Sequence, residues 1–254
     1  MWRFAGARTT GLSHLKTGLP CQDYFACLAL PHNTLVAAVA DGAGSATMAE
    51  QGAKIAVTTV IKHLKQSLEE GSSDFKGVIR SAAAAARRAV VEEANSQGKD
   101  PRSYASTLLA VALTPNGGGA LQIGDGVIVV SDDAEGWSWM FWPQRGEYAN
   151  TTHFLTDENA LEQIEVEVFG GTITDVALMS DGLEPLALHY ASQTVHDPFF
   201  TGLFQPLLKA EGNAEINQLS SALEQFLASD RVKLRTDDDV SLILATRRAR
   251  GLSR

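Results

Sequence analysis

Short apolar segments follow one another along most of this chain, and helical stretches interrupt them at only a few places. Residues 34–40 are the clearest segment, because they are continuous, apolar and followed by Asp41-Gly42. Further strands are predicted at 106–113, 120–123, 127–130, 154–155, 164–169, 176–179 and 240–245, and helices at 46–68, 74–95 and 216–227. Because strands and helices do not alternate regularly, the order favours an α+β fold with a large antiparallel component over a doubly wound parallel sheet.

Composition narrows the classes of function. Of 254 residues, 44% are hydrophobic and 20% are charged, which is typical of a globular protein; we expect one domain spanning 1–254. With 21 basic and 30 acidic residues, the net charge of −9 argues against a nucleic-acid partner. The longest apolar stretch, 35–40, is too short to cross a bilayer and no apolar leader opens the chain, so a cytoplasmic protein without membrane contact is expected.

Two further segments each allow two structural interpretations. The basic run 247–254 is interpreted as a frayed, solvated tail rather than a binding patch. Trp137, Trp139 and Trp142 lie in or beside an alternating strand pattern. Core packing is the favoured interpretation of these large aromatic side chains, and a substrate-facing surface is the alternative.

Acidic residues stand at the ends of several predicted strands. Asp-Gly pairs occur at 41–42, 125–126 and 181–182, an Asp triplet opens the last strand at 237–239, and Asp23 begins an early strand. Any one Asp-Gly pair is explained by an ordinary turn. Several carboxylates gathered at strand ends would repel one another, and a hard divalent cation with oxygen ligands is the natural counter-charge.

These residues resemble the motifs of the protein phosphatase 2C family, which comprises metal-dependent serine/threonine phosphatases. The matching segments, in family order, are Asp41-Gly42-Ala43-Gly44-Ser45, Gly124-Asp125-Gly126, Ser180-Asp181-Gly182-Leu183 and Asp238-Asp239-Val240-Ser241. Similarity to a compact bacterial branch rests on Ser13-His14, Pro20-Cys21-Gln22-Asp23, and Gly146-Glu147-Tyr148 with Asn150 and Thr152. The resemblance implies a four-layer αββα sandwich, in which two antiparallel sheets pack face to face with helix pairs outside.

The resemblance also implies a role for each acidic residue. Two Mn²⁺ or Mg²⁺ ions flank a water and lower its pKa, and the resulting hydroxide attacks phosphorus in line. The implied catalytic residues are Asp41, Asp181 and Asp238, with Asp41 bridging both ions. The implied metal ligands are Asp41, the Gly42 carbonyl, Asp181, Asp238 and Asp23, while Asp125 joins Asp181 at a looser third site. Asp239 is expected to orient its neighbours rather than to bind metal.

The chain departs from the family pattern at three positions. Gln22 replaces a frequent glutamate, Ala43 stands where some members have a histidine proposed as general acid, and Gly18 stands where a phosphate-binding arginine is common. We expect His14 or Lys16 to bind the substrate phosphate instead. Arg3, Arg8 and Arg145 are the fallback candidates if neither does.

The resulting hypothesis is an enzyme that hydrolyses phosphoserine and phosphothreonine in proteins, with a cognate serine/threonine kinase as a further partner. The alternative is a catalytically weak or inactive domain that binds a phosphorylated protein. A pseudoenzyme is expected to lose at least one metal-binding acid, whereas Asp41, Asp125, Asp181 and Asp238 are all present. A nuclease is disfavoured because the chain is acidic and has no basic stripe.

Overall fold

The computed structural model of the protein describes residues 1–132, 136–144 and 152–248. The strands are β1 (Arg3–Thr9), β2 (Tyr24–Leu30), β3 (Thr34–Ala40), β4 (Leu108–Thr114), β5 (Gly117–Ile123), β6 (Val127–Ser131), β7 (Ser138–Phe141), β8 (Glu165–Gly170), β9 (Asp175–Met179), β10 (Leu188–His189), β11 (Thr194–Val195) and β12 (Val240–Thr246). The helices are α1 (Leu12–Thr17), α2 (Ala49–Glu69), α3 (Phe75–Ser96), α4 (Ala160–Gln163), α5 (Glu184–Ala187), α6 (Asp197–Lys209), α7 (Asn213–Leu227) and α8 (Asp230–Lys233), with 3₁₀ turns at Pro101–Tyr104 and Asp181–Leu183.

Ten of these strands form two five-stranded sheets. Sheet A has the order β1-β12-β9-β6-β7, and sheet B has the order β2-β3-β4-β5-β8. Every neighbouring pair in both sheets is antiparallel. Strands β10 and β11 form a separate small hairpin. The antiparallel architecture predicted from the order of the elements is therefore confirmed.

Three apolar cores define four layers. The central core lies between the sheets, where Leu35 and Val111 of sheet B meet Leu178 and Ile243 of sheet A. Helices α2 and α3 cover the outer face of sheet B, and α6 and α7 cover the outer face of sheet A. This is the αββα sandwich that the family resemblance implied.

Strand β3 shows why its sequence is apolar at every position. Leu35, Ala37 and Val39 face the core between the sheets, whereas Val36 and Ala38 face α2 and α3. A strand covered on both faces buries successive side chains in opposite directions, so its sequence is continuous rather than alternating.

Some local predictions were wrong. Helix α2 begins at Ala49 rather than at Ala46, because the amides of Ala43 and Met48 donate to the carbonyls of Ala105 and Ser103 and hold this segment as a turn. Residues 154–155 do not form a strand. Helix α6, of 13 residues, was not among the predicted helices. None of the helices within the described ranges is long and apolar enough to cross a membrane.

The prediction of a frayed tail was wrong for its first two residues. The buried Arg248 guanidinium forms an ion pair with the buried carboxylate of Asp175. The Arg247 side chain lies over the ring of Trp2, 5.1 Å from its centroid, and donates to the Thr114 carbonyl at 3.0 Å. Each cation therefore has a specific partner. Residues 249–254 lie outside the described residues.

Candidate metal centre

Antiparallel pairing brings three of the predicted acids to the same end of sheet B, where its strands begin or end. The first residue of β2 pairs with the last residue of β3, so Asp23, just before β2, and Asp41, just after β3, leave the sheet side by side. Strand β4 begins at this end of the sheet, beside the last residues of β3. The last residue of β5 pairs with the first residue of β4, so β5 also ends there. Asp125 follows β5 in the connection that passes to β6 of sheet A.

The remaining acids lie at the same end of sheet A. Met179, the last residue of β9, pairs with the first residue of β6 and with Leu242 near the start of β12. Asp181 follows β9 by two residues, and Asp238 precedes β12 by two residues. The two sheets are packed face to face, so one end of the sandwich carries acids from both.

These acids surround a cavity of about 510 Å³. Of the predicted site residues, those that line it are Asp41, Gly42, Asp125, Asp181, Asp238 and His14. Asp23 is fully buried beside the cavity and is not part of its wall. Lys16 is exposed on α1 and does not line the cavity. The structure thus brings together all of the predicted acids but only one of the two predicted phosphate-binding residues.

Burial and mutual repulsion raise the pKa values of this acidic cluster. The pKa of Asp41 lies well above its ordinary value, first because the carboxyl is buried and then because Asp23, Asp181 and Asp238 are close. Burial raises the pKa of Asp181 to about 7, and the charges of Asp125 and Asp238 add to the rise. Burial is also the main cause of the raised pKa of Asp238.

Asp23 is the most enclosed of these groups. Burial raises its pKa to about 6, and the nearby side chains of Ser180, Asp41 and Ser241 offset part of that rise. The Arg8 guanidinium donates to the backbone carbonyl of Asp23 and leaves its carboxylate for the cluster.

The donor set suits a hard divalent cation. Within the described part of the chain, both carboxylate oxygens of Asp23 and one of Asp181 are buried without a well-formed hydrogen bond. Such oxygens are costly to bury, and coordination to a cation satisfies them. Among the described residues no three His, Cys, Asp or Glu side chains are placed to hold a metal ion by themselves, so waters would have to complete the coordination. This arrangement fits Mg²⁺ or Mn²⁺, which take few protein carboxylates and keep several waters.

The raised pKa values predict a pH-dependent stability of the metal-free protein. In the folded protein the carboxyls of Asp23 and Asp181 have pKa values of about 6 and about 7, whereas the ordinary value is 3.8. They therefore bind protons more tightly in the folded state than in the unfolded state. Their contribution to folding is therefore fully present below that ordinary value and is lost as pH rises through 6 and 7. Urea unfolding in EDTA, measured from pH 5 to 8, should show stability falling with pH; a rise across this range would contradict the burial of these groups.

Backbone contacts fix the position of Asp41. Its amide donates to Thr107 Oγ1 at 2.9 Å, and its carbonyl accepts from the Thr107 amide at 2.8 Å. The next residue must be glycine because the chain passes very close to its neighbours there. A Cβ at Gly42 would lie 2.7 Å from the Gln22 carbonyl oxygen. Asp41 is consequently held from both sides by main-chain contacts.

The two adjacent acids before β12 have different surroundings. Asp238 lines the cavity, whereas the Asp239 carboxylate is only 1% exposed and accepts three hydrogen bonds. Its donors are the Gly11 amide at 2.7 Å, the Gln22 amide at 2.6 Å and His14 Nδ1, at 2.9 Å. This supports the prediction that Asp239 orients its neighbours, and it leaves Asp238 as the residue of the pair that faces the cavity.

Of the two predicted phosphate-binding residues, His14 is the one that the structure places at the cavity. Its ring is buried, and its Nδ1 is engaged by Asp239, so Nε2 is the nitrogen left for the cavity. Hydrogen bonding of one ring nitrogen to a carboxylate fixes the orientation of the imidazole. Sequence reasoning named His14 but had no signal for its pairing with a residue 225 positions away.

If the protein has the phosphatase activity that the motifs imply, we expect His14→Ala to impair it and Lys16→Ala to serve as a matched control. On a phosphoserine peptide, His14→Ala should lower kcat by on the order of 10²-fold, as loss of a general acid does. The defect should shrink on p-nitrophenyl phosphate, whose leaving group needs little protonation. If Lys16→Ala raised KM while His14→Ala changed nothing, the phosphate would be bound from the exposed face of α1 instead.

The structure also shows the surroundings of Gln22 and Gly18, two further positions at which the chain departs from the family pattern. Gln22 is buried and its Oε1 lacks a well-formed hydrogen bond within the described residues. Gly18 ends α1 in a left-handed conformation, with φ of 72°, and does not line the cavity.

Among the fallback arginines, Arg3 lies at the end of β1 that is remote from the cavity and donates to the carbonyls of Ala210 and Arg248. Arg145, with the motif residues 146–148 and 150, lies outside the described residues.

An αββα sandwich with an acidic cavity between its two sheets is thus the class that the geometry defines, and comparison with known proteins gives the family. The family model for protein phosphatase 2C matches residues 10–228. Serine/threonine-protein phosphatase 3 of Escherichia coli (strain K12) is 37% identical over 249 residues, which are 96% of this chain and 98% of the relative. This chain belongs to the protein phosphatase 2C family.

Solved structures share the fold at low sequence identity. The catalytic domain of serine threonine protein phosphatase PstP, in complex with two manganese ions, aligns with a TM-score of 0.64 at 17% identity, covering 96% of this chain and 97% of that chain. Serine/threonine phosphatase Stp1 from Staphylococcus aureus aligns with a TM-score of 0.66 at 15% identity, covering 98% and 96% of the two chains. The predicted sandwich and the predicted bacterial relatives are both confirmed.

Proposed function

We propose that the acidic cavity is the active site of a metal-dependent phosphatase that hydrolyses phosphoserine and phosphothreonine in proteins. The observation that carries the proposal is the convergence of Asp23, Asp41, Asp181 and Asp238 at one end of the sandwich. Burial raises the pKa of each, and for Asp41 and Asp181 the charges of the neighbouring acids raise it further. Membership of the protein phosphatase 2C family supports the same activity. The alternative of an inactive phosphoprotein-binding domain is disfavoured because Asp41, Asp125, Asp181 and Asp238 are all present and line one cavity.

The proposed ligands form two sets, one for each of two ions. Asp41, central to the cluster, would bridge them, with Asp181 and Asp238 completing one site and Asp23 and the Gly42 carbonyl contributing to the other. Asp125, on the rim beside Asp181, would hold a looser third ion. When bound, Mn²⁺ or Mg²⁺ activates water for attack on phosphorus and offsets the charge of the phosphate. Titration of the metal-free protein with each ion separately distinguishes Mn²⁺ from Mg²⁺.

The chain itself supplies orientation and a proton. Asp239 engages Nδ1 of the His14 imidazole, which leaves Nε2 as the ring nitrogen available to the cavity that His14 lines. In the imidazolium form, Nε2–H would donate a proton to the serine or threonine oxygen as its bond to phosphorus breaks. This role replaces the acid that Ala43 cannot provide. The same cationic ring would attract the phosphate dianion.

The substrate class is tested by phosphate release from matched peptides. Peptides of one sequence with phosphoserine, phosphothreonine or phosphotyrosine should be compared at saturating Mn²⁺. We expect hydrolysis of the first two and little of the third. Preference for phosphotyrosine, or hydrolysis of p-nitrophenyl phosphate alone, would overturn the proposed substrate class.

Asp181 and Asp125 should differ in their effect on activity. Asp181→Asn is expected to remove several powers of ten in kcat even at saturating Mn²⁺, because a ligand of the paired ions is lost. Asp125→Asn should mainly raise the Mn²⁺ concentration needed, with losses nearer the roughly 10–100-fold typical of supporting contacts. The two variants should be compared across one manganese titration, and equal losses at saturation would remove the distinction between the sites.

A phosphoprotein phosphatase implies a kinase that phosphorylates the same substrate. We propose a cognate serine/threonine kinase as that partner, acting in the cytoplasm, where ATP is available for phosphorylation. Phosphoproteomics of cells lacking this phosphatase should show serine and threonine sites that gain phosphate, and fractionation should place the protein in the cytoplasmic fraction. No change at serine or threonine sites would contradict this assignment.

A further inference from the structure

Three aromatic side chains form a cluster on the outer side of sheet A. The rings of Trp139 and Trp142 lie 5.5 Å apart between centroids, and those of Trp142 and Tyr190 lie 5.3 Å apart, both in edge-to-face geometry. Trp139 is 37% exposed and Tyr190 is 39% exposed, although such large aromatic residues are usually buried. We call these three residues the aromatic surface.

One side of the aromatic surface is tied to the loop that carries Asp125. The carbonyl of Trp142 accepts a hydrogen bond from Gln122 Nε2 at 3.0 Å. Two residues further on, Gln144 and Gly124 are joined twice, from the Gly124 amide to Gln144 Oε1 at 2.8 Å and from the Gln144 amide to the Gly124 carbonyl at 3.3 Å. Gly124 immediately precedes Asp125, so the segment that contains Trp142 is hydrogen-bonded to the loop that carries this cavity-lining acid.

The other side is tied to the turn that carries Asp181. The hydroxyl of Tyr190 donates to the carboxylate of Glu184. Glu184 begins α5 directly after the 3₁₀ turn Asp181–Leu183. Trp139, Trp142 and Tyr190 do not line the catalytic cavity themselves, but both connections lead to the segments that carry Asp125 and Asp181, which do line it.

The exposed part of the aromatic surface is apolar. Trp139 Nε1 donates to the Gln193 carbonyl at 2.9 Å, and the Tyr190 hydroxyl is engaged by Glu184. Because these polar atoms already have partners within the protein, the ring faces are what remains for a ligand. Ring faces of Trp and Tyr bind apolar side chains and proline with little loss of conformational entropy.

We propose that the aromatic surface binds the polypeptide that flanks the phosphorylated residue of the substrate, through an apolar side chain such as proline or leucine. This inference rests on the proposed function and adds a sequence preference to it. Hydrolysis of a small aryl phosphate does not involve the flanking chain and is therefore independent of the aromatic surface.

The test compares Trp139→Ala and Tyr190→Ala with wild type on phosphoserine peptides that differ only in having proline, leucine, lysine or glycine beside the phosphoserine. Each variant should raise KM about tenfold for the proline and leucine peptides, in line with the loss of an aromatic contact, and much less for the glycine peptide. Hydrolysis of p-nitrophenyl phosphate should stay within about twofold. Val168→Ala, which trims an exposed apolar residue on β8, is the matched control, and Tyr190→Phe should retain wild-type KM.

The outcomes separate this inference from the proposed function. If wild type hydrolyses no phosphopeptide at all, the proposed function fails. If wild type is active but the variants change KM for all peptides equally, or change p-nitrophenyl phosphate hydrolysis to the same extent, the aromatic surface has only a structural role and the inference is wrong. A defect confined to the lysine peptide would show recognition of a cation and would also overturn it. Thermal melts confirm that each variant is folded.

Discussion

Asp41→Asn is expected to abolish phosphopeptide hydrolysis while the protein stays folded. The buried Asp41 carboxyl lies close to three other acids, and neutralising it removes the charge proposed to be shared by two ions. The loss in kcat should be well beyond the roughly 10–100-fold seen when supporting contacts are removed. Steady-state kinetics at saturating Mn²⁺ measures it, with Lys16→Ala as a charge-changing control on the exposed face of α1. A rate near that of wild type would exclude Asp41 as the bridging ligand.

The same substitution should stabilise the metal-free protein. In the apo state Asp41 is crowded by Asp23, Asp181 and Asp238, and their repulsion opposes folding at neutral pH. Removing one charge relieves that repulsion. Thermal melts in EDTA at pH 7.5 should therefore give a higher Tm for Asp41→Asn than for wild type. A lower Tm would mean that Asp41 has a stabilising partner in the absence of metal.

Removal of divalent metal is expected to eliminate activity completely and reversibly. The proposed ions would be held by the carboxylates of Asp41, Asp181 and Asp238 together with waters, and such oxygen ligands allow ready exchange. EDTA should stop hydrolysis of both phosphoserine peptide and p-nitrophenyl phosphate, and excess Mn²⁺ or Mg²⁺ should restore it. Zn²⁺ and Ca²⁺, added separately at the same concentration, are the matched controls for this restoration of activity. Full activity in EDTA would end the metal hypothesis.

Metal should also stabilise the folded protein. A ligand that binds only the native state adds about 2.7 kcal/mol at a concentration 100 times its Kd. The Tm of wild type should therefore rise with Mn²⁺ concentration, whereas that of Asp41→Asn should rise far less. Because the cation competes with protons for the same carboxylates, the increase should be larger at pH 7.5 than at pH 5.5.

The sequence was most informative where burial is complete. Residues 34–40 and 176–179 could be recognised as strands because helices and the opposite sheet cover both faces, leaving uninterrupted apolar runs. Strand β1 was not predicted: its Arg3–Thr9 sequence mixes small and polar residues, and its place is set by pairing with β12, more than 230 residues later. Long-range pairing of this kind leaves no local pattern in a single sequence.

The acids of the site could be predicted because each stands at the end of a predicted strand, and all except Asp23 stand beside a glycine or another acid. Their roles came from family motifs and not from periodicity. Two features could not be found in this way. The Asp239–His14 hydrogen bond joins segments that meet only when α1 packs against the start of β12. The exposed rings of Trp139 and Tyr190 come from separate elements, and Trp137, two residues before Trp139, is buried against Phe200 and Phe204.

Calorimetric titration of Mn²⁺ into metal-free wild type and Asp41→Asn tests the central claim most directly, because it measures binding without relying on turnover. The account predicts at least two bound ions for wild type, with proton release at pH 6.5 from carboxyls whose pKa values are raised in the apo state. For Asp41→Asn it predicts loss of both tight ions, with at most weak binding at the Asp125 rim. Equal stoichiometry and affinity in the two proteins would show that Asp41 does not hold the metals, and the proposed centre would be wrong.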